Sequence, residues 1–354
     1  MEMTDTMPAP EYKRRYLECK QSSETIASTN RRRESLRSSV TNFKRSCIGA
    51  LLGLLGLCLA AKASDDPSGD GRPAISVDEI ALELSNPVTA LRSLAWDMEY
   101  RTYQGDLPGA NDQTGFINVF TTSWPIKLSN GKSLLLSATI PIKGDQPYWK
   151  PVWYLDYDEF VIRQIPYLDE TMGGFGVGHD HLGDIGIDIG YGGVNESGFF
   201  SMVGIANVFP TSEDASAKRA QWLIGPEFAL GQVTSWGLFG ARAKHLTDID
   251  GEGAQELGKL DTNETTLKLF FAYALGNGWQ IESNPIILYD WEAVSGNEWT
   301  VPIGVGISRT IMFGRIPTKL AFEIQNFVVS PDRFGPEWLF TFSLTPVIST
   351  KLMR

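Results

Sequence analysis

Three histidines are the side chains of this sequence best suited to bind a metal or act as a general base near neutral pH. His179 and His181 flank Asp180, and two imidazoles with a carboxylate could hold a metal ion. A His-x-His spacing without a third histidine nearby favours a solvated loop instead. We therefore predict neither a metal site nor a cofactor.

His245 lies at the end of a predicted strand, where it could serve as a general base. Its context, Lys244-His245-Leu246, contains no His-x-Ser pattern of the kind found on the barrel wall of outer-membrane phospholipases. We predict that the chain is not an enzyme and keep a hydrolase as an alternative.

Composition excludes several other chemistries. The three cysteines, Cys19, Cys47 and Cys58, all lie in the first sixth of the 354 residues, so the rest of the chain has no disulfide, cysteine zinc site or cysteine nucleophile. The formal charge is −11, which gives no electrostatic footprint for nucleic acid.

The N-terminal part differs in charge and pattern from the rest. Residues 1–63 hold 11 Lys+Arg and 6 Asp+Glu, whereas the remainder holds 20 and 36. Lys44 and Arg45 precede the apolar run Ile48–Ala61, and an A-x-A cleavage site ends at Ala63, as in a signal peptide. We predict four parts: a leader or start-site artefact over 1–39, a signal peptide over 40–63, a tether with a short helix over 64–91, and a barrel over 92–354.

Period-2 alternation dominates after residue 92 and predicts about twelve strands. Trp299–Ile307, for example, carries bulky apolar residues on one face and threonine, proline and glycine on the other. A soluble β-sandwich would have a richly charged outer face, which these strands lack. The predicted strands cover 92–103, 114–128, 132–142, 182–192, 198–210, 219–231, 234–245, 264–275, 278–290, 298–312, 317–329 and 337–348.

The predicted connections alternate between short turns, such as Asn130-Gly131, and longer loops, such as Lys143–His181. This alternation, together with tryptophans near strand ends, is typical of an all-β, transmembrane, antiparallel up-and-down barrel. The aromatic residues that we place at the membrane interface are Trp96, Trp222, Trp236, Trp279, Trp291, Trp299 and Trp338.

One helix is predicted ahead of the first strand. Ser76 and Glu79 have capping-box spacing, and Asn86-Pro87 ends the apolar pattern. The helix could plug the barrel mouth or serve as a periplasmic tether, and the sequence leaves both open.

Strand parity places ten ionisable side chains in the lumen, because a basic side chain facing lipid at mid-membrane would cost about 2–4 kcal/mol. Acids outnumber bases seven to three, which predicts a water-lined path that favours cations or neutral solutes. The alternative is a closed lumen in which these charges pair with one another. The lumen-lining candidates are Asp97, Glu99, Arg101, Asp188, Glu227, Lys268, Glu282, Asp290, Lys319 and Glu323.

Several stretches resemble a bacterial outer-membrane transporter family named after the MetA-pathway of phenol degradation. One departure is the chain end, Ser349–Arg354, which stands where such barrels carry the terminal aromatic that the assembly machinery recognises. The stretches that carry the resemblance are Leu84–Leu94, Leu182–Ile189, Gly204–Ala217, Trp222–Leu230, Asn284–Ser308 and Ser330–Ile348.

The resemblance implies an outer-membrane barrel for uptake or permeation, with hydrophobic or aromatic compounds as candidate solutes. Our prediction is a transporter or porin-like barrel for small molecules. The implied partners are outer-membrane lipid, the barrel-assembly machinery and a small solute, but no nucleic acid. A non-conducting structural or adhesion barrel and an outer-membrane hydrolase are the alternatives.

Overall fold

The computed structural model of the protein describes residues 76–151, 173–178, 181–212, 221–249 and 262–348. The predicted leader and signal peptide, as well as His179 and Asp180, lie outside the described residues. The domain boundaries over 1–75 therefore stay predictions.

A helix, a short 3-10 helix and sixteen strands make up the described part of the chain. The helix α1 spans Val77–Ser85, and the 3-10 helix spans Ala110–Asp112. The strands are β1 Ser93–Gln104, β2 Thr114–Lys127, β3 Ser133–Lys143, β4 Gln146–Pro151, β5 Gly173–Gly178, β6 His181–Leu182, β7 Ile185–Val194, β8 Phe199–Phe209, β9 Leu223–Val233, β10 Gly237–Asp248, β11 Asn263–Gly276, β12 Trp279–Ser283, β13 Ile286–Asp290, β14 Trp299–Phe313, β15 Ile316–Val329 and β16 Gly335–Pro346.

The large sheet closes on itself. Each wall strand pairs antiparallel with the next, and β1 pairs with β16, with Trp96 opposite Leu344. β12 and β13 are two halves of one wall strand between β11 and β14. The short strand β6 precedes β7 and pairs with the same neighbour, β3. The predicted twelve-strand antiparallel barrel with a short N-terminal helix is thus confirmed. Strands β4 and β5 form a separate two-stranded antiparallel sheet.

The predicted strand over 278–290 is continuous, whereas the structure interrupts it at Asn284 and Pro285. Proline has no backbone N–H to give to a ladder, and the N–H of Asn284 donates to the carboxylate of Glu323 at 2.8 Å instead. The alternation pattern could not show this because the residues on both sides keep the same inward and outward order.

Connection lengths alternate around the barrel as predicted. Short turns at 128–132, 195–198, 234–236, 277–278 and 314–315 define one end, which we call the short-turn end. The connections after β1, β3, β8, β10, β13 and β15 define the opposite, long-loop end. At 277–278, Asn277 and Gly278 both adopt positive φ, as a type I′ hairpin turn requires.

Large apolar side chains cover the outside of the wall. Ile205, Phe228 and Leu230 each expose more than half of their surface, and neighbouring strands repeat the pattern. The inward positions of the same strands are buried, with small, apolar or charged side chains. This distribution is the reverse of a soluble barrel.

Helix α1 lies inside the barrel at the short-turn end. Its capping box is complete, since Ser76 Oγ accepts from the Glu79 N–H and the Glu79 carboxylate accepts from the Ser76 N–H. Asp78 accepts a hydrogen bond from the Gly278 N–H, and Leu82 packs against a core that contains the stacked rings of Phe200 and Phe270. The structure therefore favours the plug interpretation of this helix over the tether.

The core below the lumen depends on two glycines. A Cβ on Gly231 would meet the ring of Phe200 at 2.4 Å, and one on Gly240 would meet the ring of Phe270 at 2.6 Å. These inward glycines give the two rings their room. Within the described residues no helix is long and apolar enough to cross a membrane.

Candidate functional site

A cavity of ≈680 Å³ lies inside the barrel above the helix and its apolar core. Leu84, Pro87, Met202 and Phe270 line it at the short-turn end, and charged residues line it further up. Nine of the ten predicted lumen side chains line this cavity, namely Asp97, Glu99, Arg101, Asp188, Glu227, Lys268, Glu282, Lys319 and Glu323.

Asp290 is the predicted lumen residue that does not line the cavity. It is the last residue of β13, and its Oδ1 accepts a hydrogen bond from the Glu292 N–H in the following turn. Its parity is that of the inner face, and Glu264 opposite it lines the cavity, but the Asp290 carboxylate bonds to the turn that follows β13.

Three charged residues of the site were not among the lumen residues predicted from the sequence. Arg242 and Glu264 line the cavity, and Lys244 pairs with Asp188 beside it. Parity could have identified Arg242 and Lys244, since both share the inner face of β10 with the buried Leu238. With these additions the cavity is lined by seven acids and four bases, so its acidic excess remains.

Four charges form one network on strands β7, β9 and β10. Asp188 Oδ2 lies 2.9 Å from Arg242 Nη2 and 2.6 Å from Lys244 Nζ. Arg242 Nε also pairs with Glu227, whose side chain is 0% exposed. Buried charges need such partners. The network therefore holds these four side chains in place and links the inner faces of the three strands.

A second network ties α1 to the wall. Lys319 Nζ lies 2.6 Å from Glu282 Oε2 and donates to Ser85 Oγ at 2.8 Å. Ser85 in turn donates to Gln280 Oε1 at 3.0 Å, and Ser308 donates to Glu282 at 3.2 Å. The C-terminal end of the helix is therefore held by polar contacts.

Asp97 and Lys268 differ from these networks. Among the described residues neither forms an ion pair within 4 Å, although the two interact electrostatically across the lumen. Asp97 stands opposite Ser343 on the β1–β16 ladder and interacts with its hydroxyl. These two charges are therefore less fixed by ion pairs than the paired charges of the cavity.

A row of aromatic rings stands at the long-loop end of the lumen. Tyr103, the next residue of β1 on the face of Arg101, stacks on Phe334 with centroids 4.8 Å apart. Phe334 contacts Phe175 of β5 at 4.7 Å, and Phe175 meets Trp149 of β4 at 5.0 Å. These contacts hold the two-stranded β4–β5 sheet against the inner side of the wall.

The predicted interface tryptophans fall into two belts. Trp222, Trp291, Trp299 and Trp338 lie at the long-loop end, and Trp96, Trp236 and Trp279 lie toward the short-turn end. The sequence reasoning missed Trp124, a 40% exposed residue of β2 in the short-turn belt, over which the Arg92 guanidinium sits at 4.3 Å. Such paired belts mark the two membrane surfaces of a spanning barrel.

His245 faces outward, on the side of β10 opposite Lys244. Its Nδ1 lies 2.9 Å from Thr265 Oγ1, which also accepts a hydrogen bond from the Trp291 indole. Among the described residues no three histidine, cysteine, aspartate or glutamate side chains come together as a group that could hold a metal ion.

A closed sheet with an apolar exterior, two aromatic belts and a charged interior defines the class of membrane-spanning β-barrels. No protein-family model and no curated protein matches the chain, so the resemblance to the MetA-pathway family stays a prediction.

Solved outer-membrane barrels are similar in fold. An outer membrane channel from Pseudomonas putida F1 is 11% identical, with coverage of 80% of this chain and 100% of that one and a TM-score of 0.49. The NanC porin is 9% identical, with coverage of 72% of this chain and 99% of the porin and a TM-score of 0.40. A TodX mutant, a monoaromatic hydrocarbon channel, is 12% identical, with coverage of 75% of this chain and 93% of that one and a TM-score of 0.35.

Proposed function

We propose that this chain is an outer-membrane, porin-like channel through which small molecules pass without chemical change. The observation that carries the proposal is the charged cavity enclosed by a wall whose outside is apolar. A buried charge is costly unless it is paired or solvated, and a path for solutes explains why so many charges face inward. Outer-membrane lipid and the assembly machinery are the implied partners, after removal of a signal peptide near Ala63.

The acidic excess of the cavity sets the expected selectivity. Seven acids against four bases favour cations and neutral solutes over anions. Uncharged hydrophobic or aromatic compounds are included among the solutes because of the resemblance of the sequence. Structural adhesion and lipid hydrolysis remain the alternatives, and the first predicts no conductance.

Single-channel recording of the protein purified from outer membranes tests the proposal. We expect discrete conductance steps with a K⁺ preference over Cl⁻, a smaller preference in Asp97→Asn, and a larger one in Lys268→Gln. Asp290→Asn is the matched control, since Asp290 does not line the cavity and an asparagine keeps its Oδ1 acceptor. A folded barrel that shows no steps, or an anion preference, would contradict the proposal.

A further inference from the structure

Lys268 is the one base lining the cavity that forms no ion pair within 4 Å in the described part of the chain. Directly opposite it on β10 lies Arg242, so two positive charges stand side by side. Like charges in this position repel each other, and an anionic group beside Lys268 would offset that repulsion. The other bases that line the cavity have acidic partners, in the pairs Arg101–Glu99, Arg242–Asp188 and Lys319–Glu282 at 2.7, 2.9 and 2.6 Å.

Asp97 stands across the lumen from Lys268. Their strands, β1 and β11, lie five steps apart around the twelve-strand wall, where six steps would be diametrically opposite. The two charges interact electrostatically without forming an ion pair. Glu323 also acts on Lys268, but its two oxygens accept hydrogen bonds from Asn284 and from the Gln325 side chain. Asp97 is therefore the acid whose charge is left to complement that of Lys268.

The wall around Asp97 is rich in hydroxyl groups. Ser343 lies opposite Asp97 on the β1–β16 ladder, and its hydroxyl interacts with the carboxylate. A primary ammonium group donates three hydrogen bonds, and carboxylate and hydroxyl oxygens both accept them. This side of the cavity therefore suits an ammonium group. Of the nine serine and threonine side chains of the described wall strands that line the cavity, seven lie on β1, β2, β3 and β16, namely Ser93, Thr121, Ser123, Ser137, Thr341, Ser343 and Thr345.

Apolar side chains line the cavity around Lys268. Ile286 is opposite it on β13, and Leu288 is the next residue on the same inner face. Phe270 lies two residues further along β11 toward the short-turn end. Binding cavities commonly combine such apolar surface with a few polar groups that fix the orientation of the ligand. The lumen thus offers an ammonium site, a carboxylate site and apolar contacts for the chain between them.

We infer that Asp97 and Lys268 form a binding site for small zwitterions that carry a primary ammonium group at one end of a short hydrocarbon chain and a carboxylate at the other. The ammonium group binds Asp97, and the carboxylate binds Lys268. The inference rests on the proposed channel function and names a class of net-neutral solute for it. A singly charged solute leaves one of the two lumen charges without a partner, and an uncharged solute leaves both.

Titration calorimetry of the protein purified from outer membranes, in detergent micelles, tests the site with 6-aminohexanoate. The flexible chain of this zwitterion lets its two ends reach partners on opposite walls. Hexanoate, hexylammonium and hexanamide are probes of the same chain length that lack one charge or both. We expect 6-aminohexanoate to bind about tenfold more tightly than any of the three, because a hydrogen-bonded charge contributes about that much.

Two substitutions assign the ends of the solute. Asp97→Asn and Lys268→Gln should each weaken the binding of 6-aminohexanoate about tenfold. Asp97→Asn should not weaken the binding of hexanoate, and Lys268→Gln should not weaken that of hexylammonium, whereas a general disturbance of the wall would weaken both. The matched controls are Asp290→Asn and Lys127→Gln, which remove an acid and a base that do not line the cavity and should leave binding unchanged.

Single-channel recording of the same protein separates this site from the channel function. K⁺ conductance steps that 6-aminohexanoate interrupts support both. Steps accompanied by binding of 6-aminohexanoate no tighter than that of hexanoate, or by binding that neither lumen substitution weakens, overturn the zwitterion site and leave the channel intact. A folded barrel that shows no steps but binds 6-aminohexanoate through Asp97 and Lys268 overturns the channel function and keeps the binding site.

Discussion

Glu227 is the residue on which the inner wall of β7 to β10 depends most. Its side chain is fully buried and pairs with Arg242, which also binds Asp188. Replacement by glutamine keeps the volume but leaves the arginine with one fewer charge partner, and breaking a buried pair typically costs about 3–5 kcal/mol.

We therefore expect Glu227→Gln to lower the free energy of unfolding in detergent micelles by about 3–5 kcal/mol, measured by urea titration with heat-dependent gel mobility as the indicator of folding. Asp290→Asn, at the rim, should change it little. A Glu227→Gln protein as stable as the native one would show that the network does not stabilise the wall.

For single residues, strand parity predicts which face of the wall a side chain lies on, but it does not predict which charges form ion pairs. The alternation of Asp97, Glu99 and Arg101 places all three on the inner face, and all three line the cavity. The partners could not be read from the sequence, because Glu227, Arg242 and Asp188 come from three strands that meet only after the sheet is curved and closed. Parity likewise gives the face on which Asp290 lies but not the partner of its carboxylate, which is the Glu292 N–H in the following turn.

Helix α1 is the element whose position controls the lumen most directly. Asp78 holds one end to Gly278, and Ser85 holds the other to Gln280 and Lys319. Its capping box was predicted from two residues, whereas its place inside the barrel depends on these remote contacts.

Asp78→Ala with Ser85→Ala removes both anchors and should loosen the helix. The single-channel conductance should then rise at least twofold, because α1 would no longer be held in the lumen at the short-turn end. Asn130→Ala serves as the control, since Asn130 lies in a turn at the same end and bonds to Tyr191 instead. Equal conductance in all three proteins would mean that α1 does not limit the path.

In the part of the chain that the structure describes, the barrel wall carries apolar side chains on its outer face and charged side chains on its inner face. This distribution suits a barrel that is surrounded by lipid. Ile205, 52% exposed near the middle of β8, faces lipid in this arrangement. Thr341 lies near the middle of β16 and lines the cavity.

An arginine at these two positions should therefore act differently. Ile205→Arg is expected to destabilise the barrel in bilayers by about 2–4 kcal/mol, whereas Thr341→Arg, which faces the lumen, should cost less than half as much. Unfolding in lipid vesicles measures both. Equal losses would contradict the assignment of the two faces.

The closing pair of the sheet joins strands from opposite ends of the chain, with Trp96 opposite Leu344. Helix α1 immediately precedes β1 and ends up inside the ring. Closure of the ring therefore joins the first and the last wall strands of the sequence, and residues 86–92 connect the helix in the lumen directly to the strand that completes the ring.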